Sequence, residues 1–427
     1  MSHPEVVVVE ARTACDFALA AAVVEPVATI ASAAIDAAAQ TTDVNLFKLP
    51  HQESSDGLRR PDDSMTKVEI LSRRALNRAL LARQMLLQRA QIAAVDALEH
   101  LVGMQAQAPL APYVGLWTRV EGFAPDELVT LLTSRAAVRI ALMRSTIHLV
   151  TARDCFALRA VVQRPLIRHL TATYGNRLAG LDLDEVARAG RERVEEQPIT
   201  LHALGRSLNE LWPDRDPEAL AIAVRNLVPL VQVPPRGIWG SGGVARHTSA
   251  EQWIGRSVDP DPSPNRMVRR YLTAFGPATI ADVQNWSGVS GLKTTVEAMR
   301  PQLRAFRDED GRTLFDVTEG LLPDAETPAP PRFLPEYDNA LLGHADRTRI
   351  IDHADRSRVF TRGALLVDGF TSGAWRITRT TRTASLAIEL FRRLPRREQA
   401  AVSDEGERLL GFAAPAATQR DILLTQP

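Results

Sequence analysis

Two glutamines separated by one residue are the sharpest candidates for chemistry in this sequence. They lie in residues 103–109 (GMQAQAP), where Gly103 is typical of a helix end and the proline favours extended backbone before it. Gln105 and Gln107 are therefore predicted on an extended segment, where side chains two residues apart point the same way. Two converging carboxamides can position a water molecule, because each carbonyl accepts a hydrogen bond without taking up a full proton.

The QxQ spacing is a very weak motif by itself. Polar residues at a helix end are usually solvated, and on the pattern alone that simpler interpretation stays open. Arg144 and His148 bracket a predicted strand at residues 143–151 near this segment. They are either site residues or a strand-end salt bridge and a satisfied histidine.

A second group of charged side chains occupies a loop-like segment near residue 340. It consists of Asp338, His344, Asp346, Arg347 and Arg349. These residues either line a pocket and bind phosphate or form a structural charge network. His344, Asp346 and His353 are irregularly spaced and lack a further ligand, so no metal site is predicted and no cofactor is indicated.

The arginines and the aromatic residues of the sequence each allow two interpretations, one functional and one structural. A basic stripe, which binds phosphates or is a solvated face, comprises Arg73, Arg74, Arg78, Arg83, Arg135, Arg139 and Arg144. Trp239, Tyr337 and Trp375 stack on a base or are buried aromatics of hairpins.

Composition indicates an ordinary globular protein of two to four domains. The chain has 427 residues, with 51 basic and 51 acidic side chains. The zero net charge hides a net charge of −6 over residues 1–64 and +6 over the rest, which permits a polyanionic partner. The two cysteines have no CxxC spacing, and charges and a proline interrupt the most apolar stretch, residues 17–39. No disulfide framework, membrane span or secretion signal is therefore predicted, and a cytoplasmic, nucleoid-associated location is expected.

The elements that must position these residues repeat one design, a helix, a turn, a helix and a hairpin. The first copy is predicted at helices 200–211 and 218–227, strand 230–233 and a Gly-rich hairpin at 236–243. The second is predicted at helices 280–286 and 292–306 and a hairpin that joins 303–306 to 313–317. This pattern is typical of winged helices. Amphipathic helix is also predicted at 68–98, 92–102 and 384–393, with a hairpin at 364–377.

The predicted fold class is α+β, mainly α, with tandem winged-helix domains and a C-terminal β-containing region. The predicted units are a weakly ordered extension (1–64), a first winged-helix-like unit carrying QxQ (65–190), two winged helices (191–262 and 263–322) and a C-terminal α/β region (323–427). The extension is expected to hold one Ala-rich helix at 15–39. A translation artefact ahead of a working start at Met65 and a docked regulatory segment are the alternatives.

Eight segments together resemble the bacterial winged-helix superfamily that contains the AlkZ/YcaQ-type DNA glycosylases. They are 76–84 (LNRALLARQ), 101–107 (LVGMQAQ), 114–117 (VGLW), 143–150 (MRSTIHLV), 231–239 (VQVPPRGIW), 332–339 (RFLPEYDN), 344–349 (HADRTR) and 366–370 (LVDGF). The resemblance covers about residues 66–395. It implies tandem winged helices around a basic channel, with Gln105 and Gln107 as the QxQ motif of the AlkZ-like branch.

The resemblance implies a DNA glycosylase that hydrolyses the N-glycosidic bond of alkylated purines, including bulky or crosslinked lesions, in DNA repair or self-resistance. Gln105 and Gln107 would be catalytic. Residues expected to contact substrate or DNA are Arg78, Arg83, Arg144, His148, Arg236, Asp338, His344, Arg347 and Arg349. The expected partner is double-stranded DNA with alkylated purines, and a monomer is expected because no long heptad is present. A non-catalytic winged-helix regulator is the alternative.

Overall fold

A computed structural model describes residues 68–257, 262–359 and 362–427. The predicted extension at 1–64 and its Ala-rich helix lie outside the described residues. The helices are α1 Arg73–Arg83, α2 Ala94–His100, α3 Ala111–Trp117, α4 Pro125–Thr133, α5 Ala152–Tyr174, α6 Leu183–Glu196, α7 Leu201–Asn209, α8 Pro217–Leu227, α9 Ala250–Ile254, α10 Pro264–Phe275, α11 Ile280–Ser287, α12 Lys293–Met299, α13 Asn339–Leu342 and α14 Arg396–Ala413. No helix among these described residues is long and apolar enough to cross a membrane.

The described strands form three sheets. They are β1 Ile70–Leu71, β2 Met104–Gln105, β3 Ala137–Ala141, β4 Ile147–Thr151, β5 Ile199–Thr200, β6 Leu230–Val233, β7 Arg246–Ser249, β8 Leu303–Asp308, β9 Thr313–Val317, β10 Arg332–Leu334, β11 Gly363–Val367, β12 Phe370–Arg379, β13 Thr383–Leu390 and β14 Gln419–Thr425. Their orders are β2-β4-β3-β6-β7-β5, β1-β8-β9 and β10-β11-β12-β13-β14. With the helices, they confirm the predicted α+β, mainly α, fold class.

Both predicted winged-helix repeats are present. Helices α7 and α8 precede the β6–β7 hairpin, and α11 and α12 precede the β8–β9 hairpin. Thr200 and Thr279 cap α7 and α11 as predicted, because each hydroxyl accepts a hydrogen bond from the backbone N–H three residues on.

The six-stranded sheet connects two of the predicted units. Its β3–β4 hairpin belongs to the unit predicted at 65–190, and its β6–β7 hairpin to the unit predicted at 191–262. Antiparallel pairing of β3 with β6 joins the two hairpins into one sheet. β1 likewise pairs in parallel with β8, across a second predicted boundary. The division into units stays a prediction, but sheet pairing crosses it twice.

The main apolar cluster packs several of these elements together. It includes Leu80 of α1, Ile140 of β3, Val162 of α5, Phe275 of α10 and Leu366 of β11, all almost fully buried. Strand β4, against which β2 pairs, and its neighbour β3 therefore rest on a core shared by distant parts of the chain.

Three helix predictions are corrected by the structure. The helix predicted at 384–393 is wrong: residues 383–390 form β13, whose burial alternates along the strand, and the last helix is α14. The helix predicted at 292–306 ends at Met299, because Pro301 follows and β8 begins at Leu303. The helix predicted at 68–98 is interrupted after α1, where Met85 has a left-handed backbone.

His247 on β7 makes the fold sensitive to acid. Its side chain is buried, Nδ1 lacks a hydrogen-bond partner among the described residues, and burial lowers its pKa to about 3. A histidine in the unfolded chain binds a proton near pH 6.5, whereas the folded protein keeps His247 neutral until about pH 3. Folding stability is therefore fully present above pH 6.5 and decreases as the pH falls from 6.5 toward 3, because protons bind the unfolded state.

Replacing His247 should flatten the pH dependence of stability. We expect wild type to lose about 2 kcal/mol more than His247→Gln between pH 7 and pH 5. Urea unfolding at both pH values measures the difference, with the exposed His202→Gln as control. Identical pH dependence in wild type and His247→Gln would contradict this assignment.

Candidate active site

The two glutamines follow a left-handed glycine on an edge strand. Gly103 has φ of +85°, and a Cβ there would lie 2.9 Å from the Leu149 carbonyl oxygen and 2.5 Å from a Val150 methyl carbon, so only glycine fits. β2 then pairs with β4, with Gln105 opposite His148. The next N–H, of Ala106, donates to the Ile147 carbonyl at 2.7 Å. The extended backbone predicted at Gln105 is therefore confirmed.

Both carboxamides face the same short segment, residues 144–147. Oε1 of Gln105 accepts a hydrogen bond from Nη2 of Arg144 at 3.0 Å. Oε1 of Gln107 accepts one from the backbone N–H of Ile147 at 3.0 Å. Guanidinium and backbone N–H groups can only donate, so these partners fix which way each amide points. Both amides are thus held by residues 144–147, and their convergence on one water stays a prediction.

Residues 142–146 form a strained turn between β3 and β4. Arg144 and Ser145 have φ of 53° and 61°, which are left-handed conformations that residues other than glycine rarely adopt. Neighbouring elements hold the turn: Nη2 of Arg225 on α8 donates to the Ser145 carbonyl at 2.9 Å. Nη1 of Arg144 donates to the Trp286 carbonyl near the end of α11. The turn is thereby fixed between the two winged helices.

The site carries positive charge and a neutral histidine. Burial, with Arg347 nearby, lowers the pKa of Arg144 to about 10, so its guanidinium stays charged at neutral pH. Burial also lowers the pKa of His148 to about 3, with Arg144 as the second cause, so its imidazole is uncharged. Nδ1 of His148 lies 3.0 Å from the Thr146 carbonyl oxygen.

A loop from the C-terminal part of the chain supports β2. Nδ2 of Asn339 donates to the Gly103 carbonyl at 2.6 Å, and its Oδ1 accepts from the Gln105 N–H at 3.3 Å. Asp338, which caps α13, forms an ion pair with Arg119 at 2.7 Å, and both side chains are fully buried. On β3, Nη2 of Arg139 donates to the Ala106 carbonyl at 2.8 Å.

Sequence reasoning missed Asn339 and Arg119 as supports of the site. Asn339 is 234 residues from Gln105 along the chain. Neither residue belongs to a recognisable spacing pattern around the glutamines. The signals for Asn339 are its place in segment 332–339 of the family resemblance and the Asp338-Asn339 pair at a helix start.

Structure brings together four of the predicted site residues, Gln105, Gln107, Arg144 and His148. Arg347 is close enough to Arg144 to lower its pKa. Arg236 is half-buried, donates to the Gly243 carbonyl at 2.9 Å, and lowers the pKa of Arg139 together with burial.

Three other residues that were expected to contact DNA have partners within the protein instead. Arg83 is paired with Asp316 at 2.6 Å with both side chains buried. Arg78 is buried and pairs with Asp368, and Arg349 donates to the Pro277 carbonyl at 3.0 Å.

Two further predicted contacts, His344 and Asp338, have structural partners as well. Nε2 of His344 lies 3.1 Å from the Phe275 carbonyl oxygen, and burial lowers its pKa to about 3. Asp338 is held by Arg119. Because the polar groups of these side chains are engaged by partners within the protein, Arg78, Arg83, Arg349, His344 and Asp338 are not part of the site that we propose. Within the described residues, no three His, Cys, Asp or Glu side chains lie close enough to hold a metal ion.

The remaining aromatic candidates differ in exposure. Trp375 is buried and its Nε1 donates to the Leu334 carbonyl at 2.9 Å. Trp239 packs against Tyr113 and Phe412. Tyr337 is half-buried beside Asp338 and has a left-handed backbone with φ of 58°.

Comparison with known proteins places this arrangement in a family. A family model described as DNA glycosylase AlkZ-like matches residues 98–412. The chain belongs to the AlkZ-like DNA glycosylases. It is therefore a DNA glycosylase, a hydrolase that acts on N-glycosyl bonds in DNA.

A solved structure shows the same fold. Streptomyces sahachiroi DNA glycosylase AlkZ is similar with a TM-score of 0.69 and 20% sequence identity, over 83% of this chain and 100% of that chain. No curated protein sequence matches the chain. The resemblance that the sequence motifs suggested is thus confirmed for this AlkZ-like enzyme.

Breaking the Arg119–Asp338 pair should destabilise the enzyme. Asp338→Asn retains a side chain that can cap α13 but leaves the Arg119 cation buried without its counter-charge. We expect a loss of about 3–5 kcal/mol in the free energy of unfolding, measured with urea. The matched control is Glu326→Gln, which neutralises the exposed partner of Arg74 and should leave stability unchanged. Equal stability of Asp338→Asn and wild type would contradict the role assigned to this pair.

Proposed function

We propose that this DNA glycosylase hydrolyses the N-glycosidic bond of cationic N7- or N3-alkylated purines in double-stranded DNA, bulky or crosslinked lesions included. Gln105 and Gln107 orient the attacking water. The observation that carries the proposal is the pair of carboxamides held on one segment by donor-only partners. We further propose that the enzyme is monofunctional, needs no cofactor, acts as a monomer on the bacterial nucleoid, and serves DNA repair or self-resistance.

Leaving-group chemistry favours such a site. A purine alkylated at N7 or N3 is cationic and departs as a neutral base, so little general acid catalysis is required. What remains is to place a water against the oxocarbenium-like anomeric carbon. Among the described residues, the side-chain hydrogen-bond partners of Gln105 and Gln107 are Arg144 and the Ile147 N–H, and neither partner is a carboxylate. Weak, fixed hydrogen-bonding groups fit a substrate that is already activated.

Positive charge beside the glutamines supports DNA as the substrate. Arg144 is positively charged beside Gln105, with Arg347 near it. Phosphodiester groups that flank a flipped nucleotide would be attracted to these guanidinium groups. The phosphates would also offset the repulsion between Arg144 and a cationic sugar in the transition state.

Direct reading of DNA sequence, as the regulator alternative requires, has little support in α12. The short helix Lys293–Met299 offers Lys293, while Arg300 pairs with Glu297 and Arg304 with Asp316. Few side chains remain there for base-specific contacts in a major groove.

Removing either carboxamide should abolish most activity. We expect Gln105→Ala and Gln107→Ala each to lower the single-turnover rate of base release from N7-methylguanine duplex by about 100-fold, because the water loses its orientation. Affinity for the same duplex should change little. Gln399→Ala on α14, a glutamine outside the site, is the control. Undiminished release by both variants would refute the catalytic role of the pair.

Base charge should decide which lesions are released. We expect N7-methylguanine and N3-methyladenine to be excised, and hypoxanthine and uracil to remain in the same duplex context. Neutral bases need protonation to leave, and neither carboxamide can supply a proton at neutral pH. Mass spectrometry of the freed bases measures this. Comparable release of hypoxanthine would contradict the proposal.

A further inference from the structure

We propose that His148 is a further catalytic residue, whose Nε2 accepts a hydrogen bond from the attacking water beside the two carboxamides. This inference rests on the proposed function of Gln105 and Gln107 and adds the acceptor that their orientation requires.

Strand register places His148 and Gln105 on one face. Gln105 lies directly opposite His148 in the antiparallel β2–β4 pair. Side chains directly opposite in such a pair project from the same face, with Cβ atoms about 5 Å apart. The Gln107 side chain contacts the start of the same strand, because its Oε1 accepts a hydrogen bond from the N–H of Ile147, the residue before His148. The imidazole and the two carboxamides thus all lie at the start of β4.

The tautomer of His148 follows from its partner. The Thr146 carbonyl oxygen can only accept a hydrogen bond, so the nitrogen 3.0 Å from it, Nδ1, carries the proton. Nε2 then bears a lone pair. His148 as a whole is only 2% exposed, but its Nε2 is not among the buried nitrogens without a partner, as Nδ1 of His247 is.

The glutamines leave an acceptor to be supplied. Arg144 and the Ile147 N–H already donate to their two Oε1 atoms, whereas neither Nε2 has a partner among the described residues. The groups that they present most freely are therefore N–H donors, suited to phosphate or sugar oxygens. A water that attacks carbon must direct its own hydrogens to acceptors and lose one of them as a proton. Each Oε1 keeps a second lone pair that can hold a water hydrogen, but an amide oxygen does not take up the proton, whereas Nε2 of His148 can accept both.

Such a histidine is matched to the reaction. As the water oxygen bonds to C1′, the C1′–N9 bond breaks and its electron pair leaves with the purine, whose positive charge is neutralised. The proton of the attacking water passes to Nε2 and then to solvent. The pKa of His148, lowered to about 3 by burial and by Arg144, keeps the imidazole an acceptor throughout the physiological range. A protonated alcohol oxygen is a stronger acid than such an imidazolium, so the transfer is downhill.

Two substitutions separate this role from a structural one. Asn in place of His148 reproduces the Nδ1 position and can keep the hydrogen bond to Thr146, but it removes the acceptor at Nε2. Gln reproduces the Nε2 position and loses the bond to Thr146. The proposal expects His148→Asn to lower the single-turnover rate about 100-fold with unchanged DNA affinity. It expects His148→Gln to lower the rate less, by about tenfold, because the amide oxygen keeps the hydrogen bond to the water but cannot take up its proton. The reverse order would overturn it.

Comparison with the glutamine variants distinguishes the two proposals. Slow Gln105→Ala and Gln107→Ala enzymes beside a fully active His148→Asn enzyme would overturn the role of His148 and leave the proposed function standing. Fully active glutamine variants would overturn the proposed function itself. If either histidine variant fails to fold, the ¹⁵N shifts of His148 in the wild-type enzyme decide. A lone-pair nitrogen at Nε2 at neutral pH is required, and a protonated Nε2 overturns the proposal.

Discussion

One hydrogen bond, from the Arg144 guanidinium to the Gln105 carbonyl oxygen, sets the geometry of the proposed site. It fixes the amide orientation and holds a positive charge beside a neutral pair. Arg144 reaches Gln105 from a turn with two left-handed residues, each costing about 1–3 kcal/mol. That strain persists because Arg225 and the Trp286 carbonyl hold the turn on both sides. The geometry of the carboxamides is therefore a property of the whole assembly, and loosening either winged helix would disturb it.

Buried charge links the site to distant parts of the chain. The Asp338–Arg119 pair anchors the loop from which Asn339 bonds both to Gly103 and to Gln105. Buried pairs of this kind add little net stability but are costly to break, so they specify one arrangement of the elements they join. In this enzyme they give an edge strand of only two residues a defined position against its neighbours.

Local sequence signals predict the backbone conformation at the site, whereas contacts between residues far apart along the chain cannot be predicted from them. Gly103 and Pro109 act within a few residues, so the extended backbone at Gln105 could be predicted. Asn339 contacts Gln105 although the two residues are 234 positions apart in the sequence, and no local sequence pattern predicts such a contact. Arg83 shows the converse error: an arginine on an amphipathic helix predicts a phosphate contact, yet its partner, Asp316, lies on β9 and buries it. The strand β13 was mistaken for a helix although its apolar residues alternate, because helix-forming residues outweighed that period.

Under the proposed function, uncharged hydrogen-bond acceptors also explain how a positively charged site can act on a cationic base. A carboxylate in place of Gln105 would pair with Arg144 and cancel the charge that attracts DNA phosphates. A carboxamide accepts the same hydrogen bond without neutralising the guanidinium charge. His148 adds no second positive charge, because its low pKa keeps the imidazole neutral. On that proposal, phosphates attracted by Arg144 would supply the negative potential that a developing oxocarbenium ion needs. Intact purines would gain too little, because none of the described residues proposed for the site is a strong acid that could convert a neutral base into a leaving group, and selectivity for damage would follow.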